Sequence, residues 1–435
     1  MTHPYSGPGR PEHPDPGPLK ILVAGGGIGG LAAALALTRA GHEVTVAERA
    51  PRYEPAGAGI VLAPNALHVL AALGVDLAPH SLALPSLDVT AADGTVLRSV
   101  EPQRFGPGYG PTRALSRTAL HSALLDALPA TARPVNGRSV SAVRDLGDAV
   151  TVRFAATDTP APTPGTKTYE DAHEGTYEET YEDAHEETYD EETYDEETYD
   201  LVVGADGIRS TVRDQITARP AALRYSGATC WRGLADNPGV TCVVESWGPG
   251  TKTGLVPLPD GRLYYFYVRT APRRAPAPAW PDGFRRAFAH HRGVPARLLD
   301  ALEGPPPLHH DLEELDAPVW GHGRVLLLGD AAHAMTPNLG QGAAMAVEDA
   351  YALALALRPG GVAGAAERYR ALRHRRVRAV QLASRHAGSV SGWRNPVGRA
   401  LRETAMRRMP DALTARQYRG LVEPALALLR RRPPA

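Results

Sequence analysis

Gly25, Gly27 and Gly30 form a G-x-G-x-x-G arrangement directly after the apolar run Lys20-Ile-Leu-Val-Ala, with Gly29 beside the last of them. In such a loop Gly25 lets the chain turn, Gly27 lets the backbone approach a pyrophosphate, and Gly30 lets a helix pack on the preceding strand. A helix starting there offers free N–H groups and a positive dipole end to phosphate oxygens. Glu48 closes a second alternating run, 23 residues after Gly25, and Arg49 follows it. A carboxylate there can accept both hydroxyls of an adenosine ribose, which fits FAD or NAD and disfavours NADP.

Two further stretches decide between those dinucleotides. Leu201-Val-Val-Gly-Ala is followed by Asp206-Gly207-Ile-Arg209-Ser210, and Val325-Leu-Leu-Leu by Gly329-Asp330-Ala-Ala-His333, with Pro337 and Gly340-Gln341-Gly342-Ala343-Ala344 just beyond. Asp330 at a strand end can accept a hydrogen bond from a ribityl hydroxyl. The loop from Gly340 opens a helix whose N–H groups can stabilise negative charge on a reduced isoalloxazine ring. His333 is tempting as a base, but its place inside a cofactor motif favours a structural role.

These three motifs, in this order, resemble those of the group A FAD-dependent aromatic hydroxylases and monooxygenases, which share the para-hydroxybenzoate hydroxylase fold. The resemblance runs from about Lys20 to Ala387, apart from an acidic insert. It implies non-covalent FAD, with NADH or NADPH as transient co-substrate and O₂ as oxidant. It also implies oxygen transfer to a small aromatic or heteroaromatic substrate through a flavin hydroperoxide. In register with the family, Asp206 serves the flavin pyrophosphate region and the nicotinamide. Arg117, in Leu115-Ser-Arg117-Thr-Ala-Leu120, contacts the flavin; Gly57-Ala-Gly59-Ile-Val61 is the loop beside the ring; and Val140 lies near the adenine. No second G-x-G-x-x-G, no Cys-x₄-Cys after the first helix and no W-x-W-x-I-P occurs. These absences speak against a separate nicotinamide domain, thiol redox chemistry and a halogenase.

The segment from Arg224 to Gly233 is similar to the urate hydroxylase and zeaxanthin epoxidase branch, and the next stretch to the flavin urate hydroxylases. There an Arg and a Tyr contact substrate, and their positions fall on Lys252 and Tyr264. Lysine loses the planar bidentate grip of arginine, so the resemblance does not extend to urate itself. Alternation along a strand puts Tyr265 and Tyr267 on one face and Tyr264 and Phe266 on the other. One pair is then either ordinary sheet packing or a cavity wall. Trp231 and Arg232 also face opposite ways.

The elements that must position these groups follow from periodicity. Lys20 onward reads as strand, glycine turn, alanine-rich helix from Leu31 to Ala40 and second strand, a βαβ unit. Strands are expected around the Asp93-Gly94 turn between Leu82 and Val100, as two runs between Val135 and Phe154, at Asp200 to Gly204, through Leu223 to Val268, and at Val325 to Leu328. Helices are expected from Thr118 to Leu128 and beyond Ala343. The fold class is α/β. A Rossmann-like FAD-binding domain is assembled from 19–81, 102–156, 200–222 and 317–390. A mixed-sheet substrate domain from 82–101 and 223–316 is interleaved with it, and 391–435 forms a C-terminal helical segment. Residues 1–18, rich in Pro and Gly, read as a disordered leader with no signal core.

The formal net charge of −1 hides an uneven distribution. Between Tyr169 and Asp200 there are 16 acidic residues and no Lys or Arg, so the remainder carries about +15. A basic body suits anionic ligands; nucleic acid competes for the same charge, but no nucleic-acid module accompanies it. Residues 157–199 carry the degenerate repeat Thr-Tyr-Asp-Glu-Glu and read as a disordered hairpin insert, or alternatively as a weak cation-binding or partner-binding arm. Cys230 and Cys242 are too few for a disulfide framework, and no metal site is expected. No run of about 18 apolar residues exists, so no membrane span is expected and a cytoplasmic enzyme follows. Three rivals stay open. One is an epoxidase or tailoring oxygenase of a secondary metabolite on the same scaffold. The second is a non-catalytic flavin-binding interaction protein. The third is a saturating reductase, which would turn over without O₂.

Overall fold

The computed structural model describes residues 17–52, 59–155, 195–358 and 360–431. Its first layer is a six-stranded sheet in the order Gly321–His322, Val325–Leu327, Leu201–Gly204, Lys20–Ala24, Glu43–Glu48, Ala132–Asn136. All neighbours are parallel except the outermost pair at Gly321–His322. The three central strands, Val325–Leu327, Leu201–Gly204 and Lys20–Ala24, are buried on both faces almost throughout, which is why they read as unbroken apolar runs. The helix Ile28–Arg39 makes the crossover from the first strand to the second, and it is buried from Gly30 to Leu37. Its alanines let the helix Gly342–Leu357 lie close against it; both belong to one core with Val347, Ala350 and Leu353.

The three motifs meet because their strands are neighbours in register. Ala24 is opposite both Ala47 and Gly204, and Gly204 is opposite Leu327. The glycine loop, Asp206-Gly207 and Gly329-Asp330 therefore leave the carboxyl ends of three adjacent strands at one level, where open parallel sheets bind ligands.

The second layer is a seven-stranded, largely antiparallel sheet in the order Leu308–Leu315, Leu223–Asp236, Arg262–Thr270, Thr251–Pro257, Val243–Trp247, Leu87–Ala91, Val96–Val100. Its outer face buries Trp231, Tyr265 and Tyr267 against Phe284 and Phe288, a cluster of edge-to-face rings. The inner face turns toward the motif loops.

The structure corrects the expected element boundaries in several places. Leu82–Leu84 does not join the second sheet; it pairs with Thr112–Ser116, which also pairs with Gly59–Leu62. Pro85 follows at once, and without an N–H it cannot continue a ladder. The run from Val135 is split: Ala132–Asn136 ends the six-stranded sheet, and Val140–Asp145 starts a three-stranded one. Gly137, at φ 71°, makes the break.

The acidic insert was expected without structure as far as Tyr199, yet Asp195–Tyr199 is a strand paired antiparallel with Val150–Phe154. Arg138 forms ion pairs with Asp195 and Glu197, Arg153 pairs with Glu196, and Tyr199 is buried beneath Lys20. Cross-strand charge and one buried ring hold what composition alone would leave unfolded. The register places Phe154 opposite Asp195, so the two ends of the insert meet as in a hairpin. The remainder of that insert, and residues 1–16 of the leader, lie outside the described residues. The Tyr199 hydroxyl donates to Glu197 at 2.6 Å. Tyr199→Phe should cost about 1 kcal/mol in urea unfolding; no loss would show that this strand contributes nothing.

Candidate active site

A cavity of about 2440 Å³ lies between the motif loops and the inner face of the second sheet. On the motif side its wall includes Gly27, Gly29, Gly207, Asp330 and the stretch Pro337 to Ala343. On the sheet side it includes Cys230, Arg232, Lys252, Tyr264 and Phe266. The alternation expected from sequence is thus realised: Tyr264 and Phe266 line the cavity while Tyr265 and Tyr267 enter the core. Arg232 lines it as well, and Trp231 does not.

Each expected cofactor residue has a definite place. Gly25 has φ 109°, and a Cβ there would stand 2.5 Å from the Ala205 carbonyl oxygen. A Cβ at Gly30 would stand 1.9 Å from the Gly25 carbonyl oxygen, so both positions are closed to side chains by backbone. At Gly29 it would meet Leu328, which seats the helix on the neighbouring strand. Gly27 differs: nothing lies within 4 Å of its virtual Cβ, and it faces the cavity. Glu48 accepts from the Gly26 N–H at 2.7 Å and the Ala50 N–H at 2.8 Å, which ties the second strand to the glycine loop. Each oxygen keeps a further lone pair.

Arg117 is the first residue of the helix Arg117–Asp126 and opens onto the cavity, as do Gly59 and Val61. A Cβ at Gly59 would meet the Tyr264 side chain at 2.4 Å, so this glycine lets the two strands approach. Gly57 lies outside the described residues. Asp330 opens onto the cavity and is exposed to it, yet the protein packed around this deep site still raises its carboxyl, against the pull of His333 and Arg117. Gly340, at φ 62°, turns the chain into the helix Gly342–Leu357.

Several expected residues stand apart from the cavity wall. The Asp206 carboxylate accepts from the Ser210 hydroxyl at 2.5 Å and the Val212 N–H at 3.1 Å, so it caps the helix Thr211–Ile216. Gly207 is the member of that pair that reaches the cavity. Arg49 is exposed at the end of its strand, Val140 packs on the small core beside Ala47, and Ala344 is buried one residue behind the wall. Gln341 lines the cavity and accepts from Asn65 at 3.0 Å.

Lys252 is buried, 5% exposed, and donates to Asn338 Oδ1 at 2.9 Å with Glu245 3.5 Å away. Asn338 lies in the loop between Pro337 and Gly340, so this bond joins the second sheet to the motif side. Tyr264 is enclosed; burial raises its phenol, which therefore remains a neutral hydrogen-bond donor at physiological pH. His310 was not anticipated, although strand alternation on 308–312 would have placed it on this face. Arg232 donates to its Nε2 at 2.8 Å; burial and Arg232 push this imidazole down to about 4. His310 is neutral, and its acceptor nitrogen is already engaged.

His333 faces away from the cavity wall and sits 2.5 Å from Asp349 Oδ2, inside a buried network with Arg373 and Glu348. It is structural, as its position in the motif suggested. Also unforeseen were Thr414, Gln417, Tyr418 and Leu421 of the C-terminal helix Asp411–Leu429, which close one end of the cavity. No periodicity in the sequence says where such a helix docks. Among the described residues no cluster of His, Cys, Asp or Glu could hold a metal, and no helix is long and apolar enough to cross a membrane. Cys230 and Cys242 are both free thiols.

Three features fit these residues to FAD. The open space at Gly27 leaves room for a pyrophosphate against backbone. Two helix N-termini, at Ile28 and Gly342, face the same cavity with no capping side chain and no acidic residue in the first turn. Their free N–H groups suit, respectively, a phosphate and an electron-rich ring edge.

Comparison with known proteins agrees. The family described as FAD binding domain matches residues 18–384. The chain is 34% identical over 417 residues to 2-heptyl-3-hydroxy-4(1H)-quinolone synthase of Pseudomonas aeruginosa, covering 93% of this chain and 97% of that protein. It is also 34% identical over 416 residues to aurachin C monooxygenase/isomerase of Stigmatella aurantiaca, covering 93% and 98%. Among solved structures, Klebsiella pneumoniae HpxO complexed with FAD and uric acid superposes with a TM-score of 0.76 at 24% identity, over 94% of this chain and 97% of that one, which supports the fold. The chain belongs to the FAD-binding family of aromatic hydroxylases and monooxygenases.

Proposed function

We propose that this chain uses NAD(P)H and O₂ to hydroxylate a ring that is electron-rich, heteroaromatic and substituted with oxygen, and that the ring rests on the inner face of the second sheet. The observation that carries this reading is that wall itself, on which Arg232, Lys252 and the Tyr264 hydroxyl stand opposite the loops that fit FAD. Bound FAD would accept hydride from the reduced nicotinamide and activate O₂ for transfer to the ring. Gly27, Gly29, Asp330 and Gly340 to Ala343 would hold it, with Glu48 and Arg117 at its flanks, and Gly207 would border the nicotinamide.

The chain's own contribution is placement. Arg232 and Lys252 supply positive charge for a phenolate-like or enolate-like oxygen, which raises electron density at the neighbouring carbon. Tyr264 donates a hydrogen bond from a neutral phenol. With flavin and ring in place, the two walls would exclude water from the space between them. Leu87, Val89, Val243 and Val256 make one side of the sheet face apolar. That side suits a hydrocarbon substituent, and of two relatives over almost the whole chain one is by name a synthase of a heptyl-substituted hydroxyquinolone and the other an aurachin C monooxygenase/isomerase. We therefore favour a bicyclic ring with an apolar tail over a small benzoate. The boundaries at 102, 223 and 317 between FAD-binding and substrate units are proposed with it, supported by the separate sheets, and the first boundary moves from 82 to just before Leu87, where the chain enters the second sheet.

The test is a panel of hydroxybenzoates, purines and alkyl-quinolones. Each is scored for substrate-stimulated NAD(P)H oxidation and for a product heavier by one oxygen atom. Turnover without O₂ would overturn the reading. Lys252→Met should raise KM for an oxygen-anionic substrate about tenfold, about 1.4 kcal/mol, with FAD content unchanged. An unaltered KM would remove Lys252 from the substrate wall.

A further inference from the structure

The short helix Pro396–Arg407 carries the most exposed large apolar side chains among the described residues. Val397 is 68% exposed and Leu401 66%, one turn apart on one face, and Trp393 precedes them at 39%. The Trp393 ring lies over the first turn, where Gly398 leaves room for it. Ala400, Thr404 and Ala405 continue this exposed or half-exposed face, so nothing among the described residues covers it. Scattered single apolar residues need no explanation, but a stripe along one helix face does.

Charge decides what could cover the stripe. From residue 391 to the end there are ten arginines and three acidic residues. Each of those three is already engaged: Glu403 with Arg402, Asp411 with Arg98 and Arg104, and Glu423 with Tyr109. Arg394, Arg407 and Arg408 are exposed at the two ends of the stripe. A second copy meeting this face by two-fold symmetry would bring the same arginines together. An anionic bilayer satisfies both features. Arginines meet lipid phosphates while Trp, Val and Leu enter the boundary of the acyl region.

We infer that Trp393, Val397 and Leu401, flanked by Arg394, Arg407 and Arg408, dock this protein on an anionic membrane surface. The docking is peripheral. The helix that follows the stripe, Asp411–Leu429, is the one that lines the cavity with Thr414, Gln417 and Tyr418. A docked chain therefore holds one wall of its cavity beside the lipid, where an apolar substrate concentrates. This inference is independent of the oxygenase reading, because binding is measured without turnover.

The full FAD-loaded chain is sedimented with vesicles of phosphatidylcholine alone or mixed with phosphatidylglycerol. Partitioning to the anionic vesicles should exceed that to neutral ones by about tenfold, and should fall with added salt. The double variant Val397→Glu/Leu401→Glu should lose binding while keeping its FAD absorbance and soluble turnover. Arg407→Glu/Arg408→Glu should lose the preference for anionic lipid. Equal partitioning to both vesicle types, or wild-type binding in the first double variant, overturns the inference. So does light scattering that shows a dimer which Val397→Glu/Leu401→Glu converts to monomer, since the stripe would then belong to a second copy.

Discussion

Gly27→Val yields a folded protein that no longer retains FAD. The backbone at Gly27 is extended, with φ −71° and ψ −179°, which valine adopts readily. No atom lies within 4 Å of the virtual Cβ, so the branched side chain meets no protein. Its methyl groups project into the cavity where the phosphates approach backbone N–H groups. Affinity for FAD should fall by about 100-fold or more, about 2.8 kcal/mol. Melting of the flavin-free protein should hardly change. Gly30→Ala is the contrasting variant. Its Cβ would stand 1.9 Å from a main-chain oxygen of the same loop, and main chain cannot rotate away. That protein should fail to accumulate in soluble form. The absorbance ratio of flavin to protein, with circular dichroism for folding, separates the two. If purified Gly27→Val is as yellow as the wild type, the pyrophosphate does not lie at the glycine loop.

The contrast between these glycines also shows what a sequence can disclose. G-x-G-x-x-G is legible because a tight turn and a strand–helix contact are local demands, met within six residues. The second strand and Glu48 are legible for the same reason. The alternation of Tyr264 to Tyr267 disclosed which side chains share a face, but not which face meets the cavity. That depends on strand order, and the strands at Leu308–Leu315 and Leu87–Ala91 lie far apart in the sequence. Asp206 illustrates a different limit. Its spacing after a buried strand suggests a ligand contact, yet Ser210 and the Val212 N–H compete for the same oxygens and engage them. Local donors four to six residues away are as visible in the sequence as the aspartate, but their geometry is not. The strand at Asp195–Tyr199 was hidden by composition, since its stability comes from Arg138 and Arg153 across the hairpin. The helix Asp411–Leu429 is amphipathic in any reading; only the packed structure shows that it closes the cavity.

Arg373→Met should be the most destabilising single change outside the glycine loop. Glu348 and Asp349 are consecutive in the helix Gly342–Leu357 and are fully buried. Arg373 donates to both, at 2.6 Å to Glu348 Oε2 and 2.6 Å to Asp349 Oδ1, and also to the Met345 carbonyl at 3.2 Å. Asp349 further accepts from the Gly329 N–H at 3.2 Å, and Glu348 accepts from Asn65 at 2.9 Å. The network thus fixes the turn that carries Asp330 and the helix whose first residues face the cavity. Burial alone raises both carboxyls, but Arg373, with His333 at Asp349 and Arg376 at Glu348, outweighs it and holds them below the usual range. Removing one partner leaves buried charge uncompensated, which costs about 3–5 kcal/mol. Depressed carboxyls contribute stability that is present above their unfolded values, about 4, and is lost as pH falls through the folded ones. Without Arg373 the effect of burial is less opposed and the carboxyls rise. The variant then gains stability relative to wild type as pH falls from 7 toward 4.5, because protonation discharges the buried pair. Urea unfolding at those two pH values should show the gap narrowing, and Arg373→Met/Asp349→Asn should recover part of the loss at pH 7. A gap that is independent of pH would mean that Arg373 stabilises the fold by packing rather than by charge.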